Sequence, residues 1–371
     1  MVADVNTGSR QARPHRRIWH AAVPVLGVIC LLVSWNRDLP VGVLALLGVI
    51  LALTILSAVH HAEVVAARVG EPYGSLLLAI AVTVIEVSLI LTIMAAGSSS
   101  SASLARDTIF AALMITCNGM VGVALLVRTA RGGEALFNAA GAVTGLSAIA
   151  VLATLSLILP NFTQSTSGPT FTSSQLVFAA IAALTVYLLY VFVQTVRHRD
   201  YFLPEDDDPT TDDDHVLPPT RMTTWASVLL LMFALLAVVG LAKVTSPLLE
   251  AAVFTVGLPS AAVAVGIASL VLLPESIAAI RAARRGRVQT SLNLAYGSAM
   301  ASIGLTIPSV AALSLILGYE LILGLDSVAI ALLTITMFTG LATVLYGRAT
   351  VLQGGIHLTL LGAFLVLVAV P

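Results

Sequence analysis

Apolar runs of about twenty residues follow one another through almost the whole of this 371-residue chain, and such runs leave few folds open. They fall at about 18–35, 41–62, 73–97, 107–128, 138–160, 175–197, 222–243, 248–280, 289–317, 322–345 and 350–370. The chain is 58% hydrophobic and 10% charged, more apolar surface than a soluble domain of this length can hide. Inside a bilayer the backbone must pair its polar groups within the segment, so the runs read as helices. The expectation is an all-α polytopic membrane protein with about eleven transmembrane helices. Cys30 and Cys117 both lie in apolar runs, so no disulfide framework is expected. The polar, Arg-rich start has no evident cleavage site after its first apolar run, which reads as a retained helix.

The formal net charge of −1 conceals a strong segregation by loop. With a cytoplasmic N-terminus, eleven spans place Arg10, Arg13, Arg16, Arg17, Arg68, Arg128 and Arg131 inside. Arg197, Arg199, Arg221, Arg281, Arg284, Arg285, Arg287 and Arg348 fall on the same side. Only Arg37, Arg106 and Lys243 fall outside. Cationic residues favour the cytoplasmic side, so this asymmetry sets the orientation.

The one strongly hydrophilic stretch inside the chain is 198–221, with EDDDPTTDDDH at its centre. It divides the chain into an N-terminal tail and first helix (1–40), a first five-helix repeat (41–197), the acidic cytoplasmic loop (198–221) and a second five-helix repeat (222–371). Five is odd, so the repeats run in opposite senses, an arrangement that builds a binding site near the membrane midplane.

Matching special residues are expected at matching places. The second segment of the first repeat, SLLLAIAVTVIEVSLILTIM, carries Glu86; its counterpart carries Glu275, directly after Pro274. These read as the only ionisable side chains deep in any span. A carboxylate at that depth costs roughly 2.5–3.5 kcal/mol and is accepted where it faces a cavity and does chemistry. Pro274 removes a backbone donor, and the carbonyl it frees could ligate a dehydrated cation. The next segment in each repeat is polar at its middle too, with Asn118 in one and Ser298 and Ser302 in the other. Small residues such as Gly119, Gly122 and Gly297 would let these helices approach closely.

The paired glutamates, the run PESIAAIRAARRGRVQTSLNLAYGSAMASIGLTIP and the acidic loop resemble the ChaA-type cation/proton antiporters of the calcium/cation antiporter superfamily. The resemblance covers essentially the whole chain. It implies that Glu86 and Glu275 are the cation- and proton-carrying carboxylates, with Asn118, Ser298 and Ser302 as supporting oxygens. The plant and fungal vacuolar members carry a GNxxE-like signature and a His after the second Glu. Here Val82–Ile85 precede Glu86 and Ser276 follows Glu275, a departure that bears on ion choice.

Two carboxylates can balance one divalent cation or hold two protons, so one site could exchange Ca²⁺, or Na⁺ or K⁺, for H⁺. They would titrate as a coupled pair. Calcium takes about 6–8 oxygens, so Thr83, Ser298, Ser302, carbonyls near Pro274 or water would complete the shell. The partners expected are the lipid bilayer of a bacterial inner membrane, the transported cations and protons. No nucleic acid or cofactor is expected, and nothing in the sequence sets an oligomeric state. The alternatives are a cation channel, which lacks a filter-like loop here, and a membrane-embedded enzyme. For the latter, His60, His61 and Glu63 form HHAE, which lacks the HExxH spacing and reads as an interfacial cluster with pH sensing as a second role. The acidic run 205–214 lacks an EF-hand pattern and reads as a solvated loop, and Asn161-Phe162-Thr163 as a chance sequon.

Overall fold

A computed structural model describes residues 15–37, 39–70, 73–95, 101–130, 132–203, 219–256, 259, 261–318 and 321–370. The acidic run at 205–214 lies outside the described residues. The described chain forms α1 (His15–Ser34), α2 (Val41–Val69), α3 (Tyr73–Ala95), α4 (Leu104–Thr129), α5 (Ala139–Phe162) and α6 (Ser173–Arg197). After the loop come α7 (Arg221–Val256), α8 (Ala261–Val271), α9 (Leu273–Arg284), α10 (Val288–Leu317), α11 (Ser327–Val344) and α12 (Val351–Ala369). Among the described residues eight helices are long and apolar enough to cross a membrane, or nine when α8 and α9 count as one bent span. Two further stretches, Trp19–Ser34 and Ile80–Thr92, are apolar but shorter. The protein is a polytopic helical membrane protein. Its described β structure is a two-residue ribbon, with Ala135 opposite Ala349 and Leu136 opposite Arg348.

Local sequence explains most of the ends. Asn138 and Asp326 cap α5 and α11 by accepting from the amides of Gly141 and Ala329, and Thr172 with Gln175 closes a capping box on α6. Gly318 ends α10 in the left-handed conformation, at φ 73°, which a side chain would resist. Two boundaries differ from the sequence-based ones. The break expected between 243 and 248 is absent, because α7 continues unbroken to Val256. Lys243 does not end the helix: its ammonium lies 5.2 Å from the centre of the Trp35 ring, a satisfied charge on a long stem. The segment expected over 248–280 starts only at Ala261 and runs as two half-helices, as its excess length allowed, with a bend of 54° between Val271 and Leu273.

Loops gather in two sets. The Gly347 carbonyl accepts from the Phe137 amide, Gln289 Oε1 from that of Asn138, and the Phe202 carbonyl from Asn293 Nδ2, so the 132–138, 198–203, 285–293 and 345–350 regions meet at one end. Ile322 donates to Ala102, Gly324 to Pro169, and Arg106 to the Gly324 carbonyl, which joins 101–106, 161–172 and 321–326 at the other.

Packing is reciprocal across the chain. The third helix after α1, α4, packs on α8 and α12; α10 packs on α3 and α6; α2 packs on α7. The buried side chains form two apolar cores. The smaller joins Leu31 of α1, Leu51 and Ile55 of α2, and Ala237, Val238 and Leu241 of α7. The larger is built from α4–α6 and α9–α12. Helices α3 and α8 belong to both. Ile85 and Leu89, one turn apart, face the smaller core, and Val87 and Ile90 face the larger. On α8, Ile267 and Val271 face the smaller core and Ala268 the larger.

Candidate functional site

Glu86 lies on α3 between the residues that serve the two cores, so its side chain emerges at the seam and is 3% exposed. Glu275 reaches the same place from the first turn of α9, just past the bend. The bend has a local cause. Pro274 has no N–H for the carbonyl one turn before it, and the helix restarts at Leu273 with Pro in its first turn. Ser276 secures the restart, its amide and its hydroxyl both donating to the Leu272 carbonyl, at 2.9 and 2.8 Å.

The two carboxylates line one cavity of about 250 Å³ between α3, α6, α9 and α10. Thr83, one turn before Glu86 on α3, lines it as well, and so do Ser298 and Ser302 of α10. The Ser302 hydroxyl donates to Glu86 Oε2 at 3.5 Å, a long contact. Glu86 Oε1 and Glu275 Oε2 are buried with no hydrogen-bond partner among the described residues. Buried polar atoms are almost always paired, so two orphaned carboxylate oxygens in one cavity are unusual. They present acceptors to a space that a cation or protons could fill. Tyr187, Tyr190 and Gln194 of α6 and Asn293 of α10 line the same cavity.

Asn118 is not among the cavity-lining residues, so the structure does not bring it to the glutamates. It sits in a π-helical turn, Ile115–Met120, and its amide is spent elsewhere. Nδ2 donates to Thr336 Oγ1 at 2.9 Å, and Oδ1 accepts from His357 Nδ1 at 3.1 Å. An amide oxygen only accepts, so the proton of His357 sits on Nδ1, and Nε2 accepts from the Thr343 hydroxyl at 3.1 Å. His357 is fully buried, which corrects the reading of Glu86 and Glu275 as the only ionisable groups deep in the spans. An isolated His in an apolar run gives no periodic signal, and its partners lie far away in sequence. Replacing Asn118 with Leu would strand the His357 Nδ1–H in a dry interior and leave the Thr336 hydroxyl with only its contact to Met114 Sδ. The expected loss is roughly 2–4 kcal/mol, read as a lower unfolding temperature in detergent.

Sequence reasoning also missed Thr306. It is fully buried on α10, its hydroxyl has no hydrogen bond of ordinary geometry among the described residues, and it lies close enough to Glu86 to favour the carboxylate. The signal was present: Ser298, Ser302 and Thr306 recur every four residues and so share one helix face.

Residues 24–196 and 226–370 match the family model described as sodium/calcium exchanger protein, the gap falling across the acidic loop. Over 360 residues the chain is 42% identical to y4hA of Sinorhizobium fredii (strain NBRC 101917 / NGR234), a protein named as a candidate ionic transporter. That match covers 96% of this chain and 97% of y4hA. It is 32% identical over 350 residues to the sodium-potassium/proton antiporter ChaA of Escherichia coli (strain K12), covering 92% and 93% of the two chains. Among solved structures, the H⁺/Ca²⁺ exchanger CAX shares the fold with a TM-score of 0.68 at 17% identity, over 95% of this chain and 89% of CAX.

Proposed function

The chain belongs to the sodium/calcium exchanger family of membrane cation transporters, and from that premise we propose that it exchanges a cation for protons at Glu86 and Glu275. The observation that carries this reading is the pair of buried, unpartnered carboxylate oxygens facing one cavity. Loaded with a divalent cation, the two charges are balanced; loaded with two protons, they are balanced again. Either state removes the cost of uncompensated buried charge, and the doubly ionised empty state does not. The carrier therefore changes conformation at low cost only when loaded, which is what obligatory exchange requires. The hydroxyls of Thr83, Ser298 and Ser302 add neutral oxygens, enough with the carboxylates for the 6–8 that Ca²⁺ takes. A monovalent cation would use the same oxygens with one carboxyl protonated, and ChaA is named for sodium and potassium. Pro274 bends the helix and positions Glu275; Asn118 packs α4 against α11 and α12.

In this reading the chain is α1 plus two five-helix halves, 41–197 and 222–371, of opposite orientation. The reciprocal packing of α4 and α10 supports that division, as does the gathering of loops into two sets. The Arg-rich loops then face the cytoplasm, with the N-terminus, in the inner membrane of a bacterium.

The purified protein in proteoliposomes should dissipate an imposed proton gradient when Ca²⁺, Na⁺ or K⁺ is added on the opposite side. One of these ions should do so at a concentration at least about tenfold lower than the others, a difference of about 1.4 kcal/mol. A cation current that moves without protons would overturn the exchange reading and favour a channel.

A further inference from the structure

A second group of titratable side chains, none of them lining the cavity, lies where α1, α2 and α7 meet. The ring of His20 stacks on that of His60, with centroids 3.8 Å apart and planes at 24°. The Trp19 ring also lies against His20, with centroids 3.8 Å apart and planes at 33°. Two bonds converge on the His20 carbonyl, from the Ser57 hydroxyl at 2.7 Å and from His61 Nε2 at 3.0 Å. A carbonyl only accepts, so His61 carries its proton on Nε2, and Nδ1 accepts from Ser227 Oγ of α7 at 3.3 Å. His61 is 5% exposed and thereby ties three helices together. The remaining groups facing the stack are few among the described residues. His60 Nδ1 lies 4.0 Å from Glu63 Oε2, and Glu63 is in electrostatic reach of Arg281 and Glu275 on α9.

We infer that the His20–His60 stack is a second proton-binding site, a clasp that fastens α1 onto the α2–α7 pair and opens at acid pH. Two neutral imidazoles stack face to face at this distance. One proton is tolerated, because Glu63 stands beside His60; a second places two like charges about 4 Å apart in a partly dry contact and drives the rings apart. Helix α1 also packs on α2 and α7 beyond the stack, through Gly27 and Leu31, so opening the stack loosens the end of α1 that carries Trp19 and His20 without releasing the whole helix. These three helices belong to the smaller core, and loosening that end slows any movement of the core against the rest. Exchange then falls on the acid side through an event outside the cation site. The transport consequence rests on the exchange reading above; the clasp itself does not.

Two measurements separate them. The chain has three tryptophans, so Trp35→Phe with Trp225→Phe leaves Trp19 as sole reporter. A protonated imidazole quenches a stacked indole. Trp19 emission should therefore fall sigmoidally as the pH is lowered from about 7 to about 4, because the second proton must enter beside the first. His60→Gln should move that midpoint by about half a pH unit or more, because the paired ring is gone. In proteoliposomes, His60→Gln should keep the wild-type apparent cation affinity at alkaline pH. At acid pH it should retain several-fold more of its maximal rate than wild type. Flat Trp19 emission across the window, or pH–rate profiles that superimpose for wild type and His60→Gln, would overturn the clasp. A wild type that exchanges nothing at any pH would remove the exchange reading, while the emission titration would still decide whether the clasp exists.

Discussion

Replacing either Glu86 or Glu275 with glutamine is expected to reduce cation-dependent proton flux in proteoliposomes at least about a hundredfold, roughly 2.7 kcal/mol. Glutamine keeps the shape but exchanges one carboxylate oxygen for an amide donor, which points hydrogens at the cation. The site is left with a single negative charge, so it neither balances a divalent ion nor carries two protons. Stability should move the other way. Glu86 Oε1 and Glu275 Oε2 are buried without partners, and a buried charge without a partner is a cost to the fold. Both variants should therefore unfold at or above the wild-type temperature in detergent. Wild-type flux in either variant would remove the paired site, and a marked drop in unfolding temperature would show the carboxylate to be structural.

The second large effect is expected at Gly304. A Cβ placed there would come 2.4 Å from Tyr187 Cβ and 2.8 Å from its Cγ. Those atoms sit at the root of the side chain, so no rotamer change relieves the clash; α6 and α10 must separate. Gly304→Ala should cost about 1–3 kcal/mol. Tyr187 lines the cavity, so the same displacement widens the space that the glutamates also line. Apparent cation affinity and unfolding temperature should fall together. An unchanged unfolding temperature would show that the two helices are not held at this spacing.

Much of this arrangement was legible in the sequence because membranes punish the wrong residues heavily. A carboxylate within an apolar run stands out, and Glu86 and Glu275 stood out for that reason. Pro274 announced the bend, since a missing donor has a local consequence. What escaped was whatever depends on partners far along the chain. Asn118 looked like a cavity oxygen because an amide at depth needs partners, and nothing local revealed that His357 and Thr336 supply them. Tyr187, Tyr190 and Gln194 carry no mark that distinguishes a cavity wall from a lipid-facing side. The continuation of α7 past Lys243 escaped too, because a charge at a span's edge suggests an end, and only Trp35 shows how it is accommodated.

The division of the interior into two apolar cores separates two properties that selection could then adjust independently. On the exchange reading proposed above, ion preference belongs to oxygens at the seam, where α3 and the α8–α9 pair meet both cores. On the same reading, the pace of any movement of the smaller core as a body depends on how firmly aliphatic side chains such as Ile55, Ala237 and Leu241 hold it together, and none of these lines the cavity. Substitutions among those aliphatics can therefore make a faster or slower carrier of the same ion, and substitutions at the seam a carrier of a different ion at the same pace.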